Sequence, residues 1–133
     1  MGAVIRNNTK CFSRTFRLLG ADDFSRVFAR SSRSRDAYYT VLYRAGKQPT
    51  ARIGFAIAKK RISSAPARNR VRRLARESFR QIRASLPPLD IIILAQSAAA
   101  DATNSELFTS LDKHWQTILA TANKSQRYKD KKN

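Results

Sequence analysis

The apolar residues of this chain change period several times, and each change marks an element. Residues 1–17 are polar and basic with no sustained period, and read as a flexible basic arm. Phe24, Val27 and Phe28 then recur at i, i+3 and i+4. Asp22 and Asp23 stand just ahead, where acids suit the positive end of a helix dipole, so a short helix to about Arg30 is expected. Ser31 to Asp36 is polar and reads as a connection. Ala37 to Arg44 alternates as a strand, with Tyr39, Val41 and Tyr43 on one face and Tyr38, Thr40 and Leu42 on the other. A Gly46-Lys47-Gln48-Pro49 turn leads into a second strand, Ala51 to Ala58. There Ile53, Phe55 and Ile57 face away from Arg52, Gly54, Ala56 and Ala58. The small face serves either close packing by a helix or a clear floor for a ligand.

After Pro66 the period becomes helical. At about 100° per residue, Val71, Leu74, Ala75, Ser78, Phe79, Ile82 and Leu86 share one face. Asn69, Arg72, Arg73, Arg76, Arg80 and Arg83 form a second stripe on the same helix, which ends around Ser85 before Pro87-Pro88. Ile91 to Ala95 is apolar on both faces, as in an interior strand. A helix between two strands implies a crossover pairing. Ala98 to Thr103 is a linker, and Thr103-x-x-Glu106 is a capping box. It opens a helix with Leu107, Phe108, Leu111, Trp115, Ile118 and Leu119 on one side, followed by a basic tail, 124–133. Residues 18–123 thus form a single α+β domain.

Charge narrows its class. With 133 residues, 27 Lys and Arg against 9 Asp and Glu, the net charge is +18. Self-repulsion on that scale suits a polyanionic partner. Exposed helix faces ordinarily alternate sign to gain i, i+4 pairs worth about 0.2–0.5 kcal/mol each. In the second stripe of this helix only Glu77 interrupts the cations, which points to phosphates. Asn69, amid the arginines, both donates and accepts hydrogen bonds. Phe24, Phe28, Tyr39 and Tyr43 add rings on which unpaired bases stack, although phenylalanine pairs are more often core.

Enzymatic chemistry finds little support. His114 is the only histidine and neighbours Trp115 on an apolar face, which favours a packed or surface role. No acids recur with metal-ligand spacing and no glycine loop cradles phosphate. Cys11 alone forms no internal disulfide. No run reaches the roughly 18 apolar residues of a membrane span, and no signal-peptide core stands at the start, so a cytoplasmic protein without a membrane partner is expected.

Three blocks in order, D-D-F-S-R-V-F, R-I-G-F-A-I-A-K-K and A-R-N-R-V-R-R-L-A-R-E-S-F-R, followed by D-I-I-I-L-A, resemble the protein subunit of bacterial ribonuclease P from about Leu18 to Trp115. The resemblance implies an α-β-β-β-α-β-α sandwich similar to ribosomal protein S5 domain 2. It also implies a left-handed βαβ crossover, against the general right-handed rule. It implies an accessory with no catalytic residues, bound one to one to a catalytic RNA that holds the Mg²⁺. Lys59, Lys60, Arg68, Asn69, Arg70, Arg72, Arg73 and Arg76 would face that RNA. Phe24, Phe28, Val41, Tyr43 and Ala56 would floor a cleft for the 5′ leader of precursor tRNA, so that Tyr43→Ala would weaken leader-bearing precursor selectively. Ser63 stands where the family usually has a glycine, and Ala56 where a small polar residue is common. A structural ribosomal protein or RNA chaperone is the rival class; it shares the charge but needs no leader cleft.

Overall fold

The computed structural model describes residues 21–46 and 49–132, with side chains described to residue 121. The expected arm and Cys11 lie outside the described residues. In chain order the elements are α1 (Ala21–Ala29), β1 (Ser32–Arg35), β2 (Tyr39–Ala45), β3 (Arg52–Phe55), α2 (Ala65–Ile82), β4 (Leu89–Ala95) and α3 (Asn104–Lys132). Single 3₁₀ turns, Arg83–Ser85 and Ser97–Ala100, flank β4. This is the expected α-β-β-β-α-β-α order. The backbone of α3 continues through the stretch expected as a tail.

The strands form one sheet in the order β1-β2-β4-β3. β4 is its interior strand, antiparallel to β2 (Val41 opposite Ile93) and parallel to β3 (Ile53 opposite Ile91). That parallel pair closes the expected crossover through α2. β1 corrects the sequence, which gave a connection there. Ser32–Arg35 pairs with Tyr43–Thr40 as an edge strand that buries only Ser34. The turn between β1 and β2 is fixed by Asp36, whose Oδ1 accepts the amides of Tyr38 and Tyr39, both at 2.9 Å.

Helices cover both faces of the sheet. Tyr39, Val41, Tyr43, Ile53, Ile91 and Ile93 pack against Val71, Leu74 and Phe79 of α2 and Leu107, Leu111, Trp115 and Ile118 of α3. On the opposite face Leu42 and Ile92 pack against Val27 of α1, with Phe24, Ala56 and Leu94 alongside. Two buried polar groups of the larger core are paired: Trp115 Nε1 donates to Ser78 Oγ at 2.7 Å and the Tyr39 hydroxyl to the Val71 carbonyl at 3.0 Å. Burial pushes the Tyr39 phenol above its ordinary pKa.

Both helix starts follow their sequence signals. Ser64 Oγ accepts from the Ala67 amide at 3.2 Å, with Pro66 in the first turn. Thr103 and Glu106 bond reciprocally, Thr103 N to Glu106 Oε1 at 2.8 Å and Glu106 N to Thr103 Oγ1 at 3.1 Å.

Candidate nucleic-acid interface

Two basic surfaces flank the sheet. The first begins after β3, where the amides of Arg61 and Ile62 both bond the Ala58 carbonyl at 3.1 Å. This turn lifts Lys59, Lys60 and Arg61 into solvent while Ile62 anchors it in the core. Arg68 reaches back along α2, its Nη1 lying 2.9 Å from the Ile62 carbonyl and 3.0 Å from that of Ser63. No described non-glycine residue has positive φ, so Ser63 needs none of the freedom of the glycine it replaces.

The sequence placed eight residues in the RNA-facing set, and the structure divides them. Arg70 turns inward, donating Nε to Asn104 Oδ1 at 2.9 Å and Nη2 to the Ala102 carbonyl, which ties α2 to the start of α3. Arg68 is likewise engaged with the loop. Asn69 accepts from Arg72 Nη1 at 2.9 Å, so its amide oxygen is held within the stripe. Arg73 meets Glu77 only loosely, at 3.8 Å with both side chains well exposed. Arg76 lies over the Phe55 ring, Cζ to centroid 5.4 Å, a cation–π contact worth about 0.5–1 kcal/mol at such a site. Lys59, Lys60, Asn69, Arg72, Arg73 and Arg76 thus compose the outward surface.

The second surface lies across the sheet, under the C-terminal end of α1. Phe28, Ser31, Arg33, Arg35, Thr40, Leu42, Arg61, Leu94 and Gln96 line an open groove of about 270 Å³. Phe28 is 51% exposed, and its ring stacks on Phe24 with centroids 6.3 Å apart. Gln96 Nε2 donates to Thr40 Oγ1 at 2.9 Å on the floor.

This geometry corrects the proposed cleft set. Phe24, Phe28 and Ala56 lie on the α1 face, but Val41 and Tyr43 are buried on the other, beneath α2 and α3. The alternation had separated the faces correctly. Both are apolar, and residue type alone does not say which one α1 covers. The basic helix α2 packs on the far side of the sheet from the groove. The sequence missed Arg33, Arg35, Arg61, Thr40 and Gln96. The alternating cations of Ser32–Arg35 were the available signal.

An ion network holds α1 in place. Asp90, fully buried on β4, accepts Arg52 Nε at 3.1 Å and Arg26 Nη2. Asp23 meets Arg26 at 3.1 Å and Arg52 at 3.2 Å. Burial works against the Arg52 charge, but its hydrogen bond to Asp90 and the charges of Asp90 and Asp23 raise its pKa further. Asp23 is therefore more than a helix-start residue. Gly46 leaves room here: a Cβ on it would stand 2.8 Å from Asp90 Oδ1.

Ser34, His114 and Asp36 hold the members of a hydrolytic triad. Ser34 Oγ lies 2.7 Å from His114 Nδ1, and Nε2 lies 3.3 Å from Asp36 Oδ1, out of hydrogen-bond alignment. Ser34 is 9% exposed and His114 2%, so the trio is a strut between α3 and the β1–β2 hairpin, with no substrate access. Among the described residues no three His, Cys, Asp or Glu side chains gather as metal ligands, and no helix is long and apolar enough to cross a membrane.

A single-sheet α+β domain with an arginine-faced helix on one side and an arginine-rimmed, aromatic-walled groove on the other has the build of a nucleic-acid-binding protein. The Ribonuclease P family model matches residues 12–119, and the chain belongs to the ribonuclease P protein family. It is 40% identical over 111 residues to the ribonuclease P protein component of Vibrio parahaemolyticus, covering 84% of this chain and 94% of that one. With that of Pseudoalteromonas atlantica it shares 39% over 115 residues, covering 86% and 96%. The Staphylococcus aureus RNase P protein structure aligns at TM-score 0.70 and 26% identity, over 80% of this chain and 94% of that one. The Thermotoga maritima protein, at 23% identity and TM-score 0.65, shares the fold.

Proposed function

We propose that the chain is the accessory subunit of a ribonuclease P ribonucleoprotein, an endoribonuclease that matures the 5′ ends of tRNA, and that its two basic surfaces serve two RNA partners. The α2 stripe with Lys59 and Lys60 binds the catalytic RNA, one protein per RNA. The α1 groove takes the single-stranded 5′ leader of precursor tRNA. The groove carries this assignment: cations line its edges, an exposed ring stands at one wall, and unstacked bases pack on such rings as a duplex does not. Mg²⁺ is held by the RNA and supplies its cleavage chemistry. Asp23 and Asp90 do not fit a metal, because Arg26 and Arg52 already take both oxygens of Asp90 and Oδ1 of Asp23. The protein's contribution is to neutralise phosphates of both partners, which raises precursor affinity and lowers the Mg²⁺ needed.

Reconstitution with a bacterial ribonuclease P RNA tests this. The chain should lower the Mg²⁺ requirement of cleavage. Phe28→Ala should weaken leader-bearing precursor by roughly 5- to 150-fold, the loss of about 1–3 kcal/mol of stacking, and leave mature tRNA unchanged. An equal loss for both RNAs removes the leader from the groove.

A further inference from the structure

The leader groove has a neighbour. Where α1 gives way to β1, Arg30, Ser31, Ser32, Tyr43, Arg44 and Ala45 line a second open depression, of about 340 Å³. Ser31 lines both, so the two are adjacent at that residue. Among the described residues no carboxylate borders the second depression. In a protein that buries acids against its inner arginines, two arginines gathered without one stand out.

The two arginines differ in how they are held. Arg44 is half-buried, and its Nη1 donates to the Arg26 carbonyl at 3.0 Å, a C-terminal carbonyl of α1. One donor of its five-donor fork is thereby engaged and the guanidinium is positioned before any ligand arrives. Arg30 is exposed and forms no ion pair among the described residues. Ser31 and Ser32, also exposed, add two hydroxyl donors. A cation past the last turn of α1 also complements the helix dipole, but that role needs neither a concavity nor hydroxyls.

We infer that this depression is a phosphodiester-binding subsite, in which an RNA strand leaving the groove past Ser31 sets a backbone phosphate between Arg30 and Arg44. The inference rests on the RNA-binding function proposed above. The phosphate belongs either to the leader, beyond the bases in the groove, or to the catalytic RNA.

The test uses the full chain, with Arg30→Gln, Arg30→Lys and Arg44→Gln. Affinity is measured across a salt series in two arms: the reconstituted holoenzyme with long-leader, short-leader and leaderless tRNA, and the protein with the catalytic RNA alone. Arg30→Gln should reduce the slope of log K against log salt by about 0.7–0.9, the loss of one phosphate contact, and Arg30→Lys should retain it. Arg44→Gln should lose the same slope and also lower Tm, since it releases the Arg26 carbonyl. A slope loss confined to long leaders assigns the phosphate to the leader; one seen with the catalytic RNA alone assigns it there. An unchanged slope for Arg30→Gln in both arms overturns the subsite, even if Tm falls, because a dipole role alone predicts that result. If the unsubstituted chain binds neither RNA, the proposed function fails first.

Discussion

Asp90→Asn should cost this protein more stability than most single surface changes, and the network around α1 says how much. Asp90 has no exposure and is bonded by two guanidinium groups, one of which, Arg52, is itself only 8% exposed. Asparagine preserves shape but removes the charge, and it turns an NH2 toward one of the donors. Arg52 has no escape through deprotonation, since Asp23 remains at 3.2 Å and arginine stays charged in proteins. Breaking a buried pair on one side costs about 3–5 kcal/mol, a large part of the roughly 5–15 kcal/mol that stabilises a domain.

Urea unfolding followed by the single tryptophan provides the assay, because Trp115 is buried between α2 and α3 and reports the larger core. With a slope of about 2 kcal/mol per M, the midpoint should fall by roughly 2 M. Leader selectivity, measured in parallel, reports α1 itself. A fall in selectivity with an unmoved tryptophan midpoint would mean that α1 detaches alone. A midpoint within about 0.3 M of the unsubstituted protein, with selectivity intact, would refute the claim that these charges fix α1 to the sheet.

Tyr43→Ala, now placed in the α2/α3 core at 6% exposure, should destabilise by about 3–5 kcal/mol as a core aromatic truncation. Any loss of RNA binding in thermal melts and titrations should track unfolding and affect precursor and mature tRNA alike. Burial opposes the Asp36 charge, but hydrogen bonds from Ser110 and from the Tyr39 and Tyr38 amides, with the His114 charge, hold its carboxyl below the ordinary 3.8. Its stabilisation is therefore present above that value and is lost as pH falls below it. Asp36→Asn should flatten that acid limb in a pH series of urea midpoints. Arg73→Ala should weaken binding to the catalytic RNA with Tm nearly unchanged, whereas Arg70→Ala should lower Tm by freeing Asn104 and the Ala102 carbonyl. Matched Tm and affinity measurements on both variants check the division.

The helices were legible because their signals are local. The period after Pro66 gave the buried face of α2, and Val71, Leu74, Ala75, Ser78 and Phe79 are buried as spaced. The Thr103–Glu106 box needed only four residues to be recognised. β1 was not legible, because Ser-Arg-Ser-Arg carries no apolar alternation and becomes a strand only through its pairing with β2. The same limit hid the network: Asp90 reads as a lone acid before an isoleucine run, while Arg26 and Arg52 lie 64 and 38 residues away. Arg70 differs from Arg72 by two positions, and only the placement of α3 turns it inward.

The acids explain why so strongly basic a chain holds together before it meets RNA. Asp90 and Asp23 neutralise Arg26 of α1 and Arg52 beneath it, Asp36 fixes the β1–β2 turn and receives Ser110, and Glu106 caps α3. Each acts where a bond to the scaffold is made, whereas Glu77 meets Arg73 of the outer stripe of α2 only loosely. Acids distributed instead along that stripe would gain a few tenths of a kcal/mol per pair in the free protein, and each would then oppose an incoming phosphate. Concentrating them within the scaffold leaves Lys59, Lys60 and Arg72 on one side, and Arg30, Arg33, Arg35 and Arg61 on the other, without a carboxylate partner among the described residues. If the two surfaces serve two RNAs as proposed, most of the sheet stands between them, and only the Lys59–Arg61 turn reaches both.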